Sequence, residues 1–204
     1  MSAALADRLR ERILSGAAAP DLPLRQDAIA AELGVSKIPL REAMARLEHE
    51  GLVRAEPNRG WFVRPLDAAE AREVFELRLT LEPELAALAA TRADDAQRAA
   101  ASLAFSSLER AADLDRGAAN RAFHLALVRP AGRPVTLDIV ERLHVLADRY
   151  VRKHLEPRGR DARADAEHRA LLDAWLARDG QAVASQLRDH IAETLTDLET
   201  QLSR

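Results

Sequence analysis

Apolar and polar positions alternate at helical spacing along most of this chain, and the departures from that spacing are concentrated before residue 66. Leu5, Leu9, Ile13 and Leu14 share one face of a helix predicted over residues 4–15, which Gly16 closes. The segment AAAPDLPLR is then a loop, extended near Leu22 to Leu24, where a short strand is expected. From Gln26 to Gly51 the pattern predicts two short helices joined at Gly34, whose missing side chain permits the backbone turn. Ile29, Ala30 and Leu33 face inward from the first; Leu40, Ala43, Met44 and Leu47 recur at i, i+3, i+4 and i+7 in the second. Ser36 stands where its hydroxyl can cap that second helix, and Pro39 falls in the first turn, where a missing N–H does no harm. LVRAEP and WFVRPL then give two β-rich runs around a Pro57, Asn58, Arg59, Gly60 turn, a small hairpin beside which the Leu22–Leu24 strand would lie.

Beyond Asp67, which can cap a new helix after Pro65 and Leu66, strand signals vanish. Val74, Leu77, Leu81, Leu85 and Leu88 mark one long helix that Pro83 should bend. A second is predicted from about Asp94 to Leu114 and a third from about Asp115 to Val128, before Pro130, Gly132 and Pro134 interrupt the chain. Ile139, Leu143, Leu146 and Tyr150 mark a fourth, with Pro157 and Gly159 after its end, and Asp179 with Gly180 separates the last two. The expected fold is mainly α: an N-terminal winged helix-turn-helix domain over residues 1–66 and a C-terminal all-α antiparallel bundle of about six helices over residues 67–204.

The outer face of the second short helix carries Lys37, Ile38, Arg41 and Ala45, with both cations near the end that a helix-turn-helix presents to base edges. Two such helices alone read equally well as an amphipathic hairpin with solvated cations. The β-hairpin that follows breaks the tie in favour of a winged helix that binds double-stranded DNA, with Arg41 as the first candidate for a base contact and Arg59 placed to reach phosphate or a minor groove. A net charge of −3 is unusual for such a partner, but residues 1–66 hold ten Lys and Arg against nine Asp and Glu, and the remainder 20 against 24. Local basic spots at Lys37, Arg41, Arg54, Arg59 and Arg64 therefore carry the expectation. The absence of cysteine excludes disulfides, thiolate metal sites and cysteine nucleophiles. MSAALADRLRERIL is a charged amphipathic helix rather than a signal peptide, and no apolar run is long enough to span a bilayer, so a cytoplasmic protein without a membrane partner is expected.

GVSKIPLREAMARLEHEGLV followed by PNRGWFV resembles the DNA-binding domain of GntR-family bacterial transcription regulators, over about the first third of the chain. The resemblance places Lys37, Ile38 and Arg41 on the recognition helix, Ser36 at a phosphate-contacting hydroxyl, and Arg59 and Gly60 at the wing tip. Many relatives carry a basic residue where Asp27 stands, so the nearby Arg25 is the candidate to replace that phosphate contact. VFELRLTLEPELAALAA, NRAFHLAL, EHRALLDAW and the later Asp189-His190 pair are similar to the helical effector domain of the FadR-like branch, called the FCD domain, in its six-helix form.

Asn120 and His124 lie one turn apart, His168 precedes the apolar Leu171, Leu172 and Trp175, and His190 sits in the stripe Val183, Leu187, Thr194, Leu198. Three inward imidazoles need partners: each can bond a neighbour in the core, or all can converge on a divalent metal. The FCD resemblance implies a metal held by an Asp and three His, and Asn120, His124, His168 and His190 fall on those positions. Asn120 departs from the pattern, and its neutral amide oxygen is a weaker ligand; an N/O site suits Zn or Ni. His49, His144 and His154 fall outside the motif and read as surface or core residues. Arg78 stands where related regulators hold an effector carboxylate, although a salt bridge to Glu82 one turn on is an equal reading. Arg149 and Tyr150 are further pocket candidates. The function expected is a homodimeric, ligand-responsive regulator, a repressor of a catabolic operon, with a near-palindromic operator and a small organic or sugar acid as effector. A metal sensor and a metal-dependent bundle enzyme are the competing readings, the latter disfavoured by the lack of an HExxH motif.

Overall fold

The computed structural model describes residues 2–18, 20–112, 115–155 and 160–202, without the side chains of 151–155, 160 and 161. The chain divides into two compact units, Met1–Leu66 and Asp67–Arg204. The expected fold class holds: a small three-stranded sheet with short helices comes first, and α-helices follow.

The first unit runs α1 (Ser2–Leu14), β1 (Pro23–Leu24), α2 (Gln26–Leu33), α3 (Lys37–His49), β2 (Val53–Glu56) and β3 (Gly60–Val63). Leu5, Leu9 and Ile13 are buried, and α1 and α2 both pack on α3, whose Leu40, Ala43, Met44 and Leu47 are fully buried. Truncating one such leucine to alanine typically costs about 2–5 kcal/mol, enough to unseat the helix. Gly34 ends α2 in the left-handed region at φ 63°, as its lack of a Cβ allows. Ser36 corrects one expectation. It occupies the N-cap position in extended backbone, but its side chain makes no cap hydrogen bond, so the exposed hydroxyl stays available to solvent or to a phosphate. The strands pair antiparallel in the order β1-β3-β2, with Trp61 facing Leu24 on one side and Ala55 on the other.

The second unit comprises α4 (Ala68–Arg92), α5 (Asp95–Arg110), α6 (Arg116–Val128), a 3-10 turn (Arg129–Ala131), α7 (Pro134–Leu155), α8 (Arg160–Leu176) and α9 (Gly180–Leu202). Asp67 caps α4 by accepting from the Glu70 N–H at 2.8 Å, and Asp94 with Gln97 forms a capping box on α5. α5 ends sooner than expected: Leu108 is its last buried side chain, and the backbone turns extended at Ala111. The expected end of α7 at Pro157 and Gly159, together with Leu114, lies outside the described residues.

Helix α4 runs through Pro83 without interruption and touches α6, α7, α8 and α9. That central place overturns the simple leucine stripe. Leu77 is 43% exposed, while Phe75, Arg78, Glu82 and Ala86 are buried, because a helix flanked on several sides buries more than one face. Ile139 on α7 is likewise 48% exposed, while Leu143 and Tyr150 face inward as expected, joined by Val140, His144 and Ala147.

Candidate functional site

The candidate reading face draws on three neighbouring elements of the first unit. Ser36, Lys37, Ile38, Arg41 and Ala45 are exposed along the start of α3, and Ile38 is 72% exposed, an apolar side chain with no core to fill. Three cations of this face already have a partner. Lys37 Nζ lies 2.6 Å from Asp27 Oδ1, Arg41 Nε donates to Gln26 Oε1 at 3.3 Å, and the wing-tip Arg59 pairs with Glu56. Arg25, Gln26, Asp27, Lys37 and Arg41 line one open concavity. The tip itself depends on left-handed backbone at Asn58 (φ 62°) and Gly60 (φ 91°), conformations that a β-branched residue would strain. Such exposed pairs are each worth about 0–1 kcal/mol, so they orient side chains without holding the fold.

In the second unit, α6, α8 and α9 each deliver one imidazole to a single point. One ring nitrogen from each of His124, His168 and His190 lies within 4.8 Å of the others, and His124 Nε2 stands 3.2 Å from His168 Nε2. Two nitrogens sharing a tetrahedral metal at bond lengths of about 2.0–2.1 Å would be separated by about 3.3 Å, so the spacing suits either a common ion or a hydrogen bond between neutral rings. His190 Nδ1 lies 2.6 Å from Glu167 Oε2, a carboxylate that fixes the ring and directs Nε2 elsewhere. Asn120, one turn before His124, lines the same cavity, as do Arg78, Arg116, Phe75 and Thr194. The cavity measures about 40 Å³, room for an ion and a few small groups.

Arg78 makes the expected salt bridge to Glu82. It lines the cavity and is also bound side-on by Glu82, Nε to Oε1 at 2.6 Å and Nη2 to Oε2 at 3.2 Å, with both residues buried. Behind it, His144 Nε2 stands 3.2 Å from Glu82 Oε2, and its ring centroid is 5.6 Å from that of His124. Burial alone would raise the Glu82 pKa, but Arg78 and His144 outweigh it and hold the carboxyl at about 2. His144, expected to be an unremarkable surface or core residue, is thus part of a buried chain that ends at the cavity. Periodicity could not reveal it, because its partner lies on a different helix. Arg116, paired with Asp165, was missed for the same reason. Arg149 and Tyr150 correct a further expectation: neither lines the cavity. Arg149 Nη1 donates to Glu70 at 2.8 Å, and Tyr150 Oη lies 3.1 Å from both the Asp67 carbonyl and Glu70, so the pair fastens the start of α4 to α7. The side chain of His154 lies outside the described part of the structure.

Burial, then the neighbouring imidazoles and Arg78, push the His124 pKa well below its ordinary value; burial also lowers His144 despite Glu82. Both rings therefore take up protons less readily in the native state than in the unfolded chain, which does so below about pH 6.5. Stability is therefore full above that pH and is lost as it falls. Metal-free protein is expected to melt progressively lower between pH 7 and pH 5, with a shallower slope in His144→Gln; identical slopes for the two would remove His144 from this account.

Comparison with known proteins agrees with both halves. The profile described as "Bacterial regulatory proteins, gntR family" matches residues 1–63, and the profile "FCD domain" matches residues 73–193. The chain belongs to the GntR family. This GntR regulator is 32% identical over 197 residues to the HTH-type transcriptional repressor GlaR of Escherichia coli (strain K12), covering 90% of this chain and 89% of that protein. It is 30% identical over 196 residues to an uncharacterized HTH-type transcriptional regulator of Streptomyces ambofaciens, covering 94% and 82%. The solved structure of E. coli McbR/YncC shares the fold, with a TM-score of 0.84 at 22% identity over 98% of each chain. The protein is accordingly a DNA-binding transcription regulator and not an enzyme. No helix among the described residues is long and apolar enough to cross a membrane.

Proposed function

We propose that this GntR regulator is a homodimeric repressor that occupies a near-palindromic operator and is released or retained by a small organic or sugar acid bound in the helical bundle. The observation that carries the reading is the convergence of His124, His168 and His190 beside Arg78 in one buried cavity, on the same chain as an exposed reading face. The relative GlaR is named a repressor, which supports the direction of regulation. Action on the chromosome implies a cytoplasmic protein.

His124, His168 and His190 would hold a divalent ion, Zn or Ni by donor type, with Asn120 as a weaker oxygen donor. When bound, the ion supplies a Lewis-acidic centre for a carboxylate. The chain's own contribution is orientation and charge: Glu82 engages Nε and Nη2 of Arg78, leaving the Nη1 amino group as a donor for an acid, and Glu167 fixes the His190 ring. A sensor whose signal is the ion alone is the second reading, favoured by the small size of the cavity. Adding Zn or Ni with and without candidate acids to an operator-binding assay separates the two.

On the DNA side, Arg41 and Ile38 would meet base edges, Ser36, Lys37 and Arg25 phosphates or base edges near them, and Arg59 with Gly60 the groove beside the wing. One small head buries too little surface for specific affinity, and a symmetric pair doubles the contacts. Selection from a random duplex pool is expected to return a two-fold symmetric motif. Arg41→Ala should cost about 1–3 kcal/mol in binding that motif and relax one base position per half-site, while Arg59→Ala should weaken all sequences alike. If Arg41→Ala retained wild-type ranking and affinity, α3 would not be the reading helix.

A further inference from the structure

The two cations at the start of α3 are held by two consecutive residues of α2. Lys37 is paired with Asp27 at 2.6 Å, and Arg41, one turn on, is bonded through Gln26 at 3.3 Å. The side chains of Lys37 and Asp27 remain 59% and 80% exposed, so the pair contributes little to folding. An acidic group on a surface that meets phosphate opposes binding wherever it lies, and this one occupies the concavity shared with Arg25 and Arg41. The wing adjoins the same spot: a Cβ on Gly60 would stand 3.9 Å from Gln26 Nε2. A flexible lysine that is free to follow phosphates favours every sequence equally. A lysine and an arginine held in fixed directions favour the one arrangement of acceptors that lies in their path.

We propose that Asp27 and Gln26 are specificity-determining positioning residues: Asp27 aims Lys37 and keeps it from wandering to phosphate, and Gln26 aims Arg41. The inference rests on the DNA-reading role proposed above. It divides into a charge effect and a direction effect, because Asp27 is charged and Gln26 is not.

Full-length protein is tested on the motif selected by wild type and on a scrambled duplex, across a salt series. Asp27→Asn is expected to bind the scrambled duplex about five-fold more tightly near 0.1 M salt, with a log–log salt slope steeper by about 0.9, since one more cation is free for phosphate. Discrimination between motif and scramble should narrow by a similar factor. In a Lys37→Ala background the same change should largely disappear, because Asp27 acts through Lys37. Gln26→Ala is expected to leave the slope unchanged and to lose about two- to three-fold of the preference at the base position that Arg41→Ala relaxes. Thermal melts of both variants should match wild type, as their side chains lie outside the core. Equal slopes and equal discrimination in wild type and Asp27→Asn would overturn this inference alone, as would an Asp27→Asn effect that persists in full without Lys37. A wild-type chain that selects no motif would overturn the DNA-reading role itself.

Discussion

A chelator is expected to lower the melting temperature of the wild-type protein by on the order of 10 °C, and to change that of His168→Ala or His190→Ala by much less. The three imidazole nitrogens come from three helices, so an ion that binds only the folded bundle cross-links α6, α8 and α9 and stabilises them by mass action. At a free metal concentration a thousand times the dissociation constant this amounts to about 4 kcal/mol. For a protein of this size each kcal/mol moves the melting temperature by about 2–4 °C. Removing either histidine leaves too few ligands to hold the ion, so elemental analysis of the purified variants should show strongly reduced metal. Asn120→Asp tests the remaining position: a charged oxygen should tighten binding. Wild-type protein that carries no metal and gains no stability from added Zn or Ni would leave the His124–His168 contact as an ordinary hydrogen bond in the core.

The second large effect is expected from Glu82→Ala, at about 3–5 kcal/mol of destabilisation in urea unfolding of metal-free protein. Glu82 has no exposure, and its carboxylate accepts from Nε and Nη2 of Arg78 and faces His144, so truncation strands a buried guanidinium. Replacing both members by apolar residues of similar size, Arg78→Met with Glu82→Leu, should recover much of the loss, because no charge is then left unpaired. The double variant should nonetheless lose any response to an acid effector, since the remaining guanidinium donor is gone. A loss below about 1 kcal/mol in Glu82→Ala would mean that water or another group reaches Arg78.

These two outcomes mark the extent of what the residue order conveyed. The helices of the reading head were legible because their signals are local: apolar residues at i, i+3 and i+4 on α3, Gly34 at a left-handed turn, and alternating β-rich runs around Asn58 and Gly60. The histidines were legible for the same reason, each beside apolar neighbours on its own helix. Capping by Ser36 was not, because an N-cap position fixes the backbone conformation but not where the hydroxyl turns.

The sequence by itself determined the element order, the mainly α class and the inward faces of α3, α6, α8 and α9, since each depends on neighbours within about one turn. Val74 and Leu85 on α4 and Leu143 and Tyr150 on α7 are buried as their spacing implies, but only the tertiary structure decided how far the buried faces of α4 and α7 extend, because helices packed from several sides no longer divide into one apolar and one polar stripe, and Leu77 and Ile139 were left outside. It also decided that Arg149 and Tyr150 fasten Glu70 rather than line the cavity, and that His144 reaches Arg78 through Glu82. Those are contacts between side chains far apart in the chain. Their partners are chosen by the angles and separations at which the helices pack, and the spacing of residues within a single helix does not encode these.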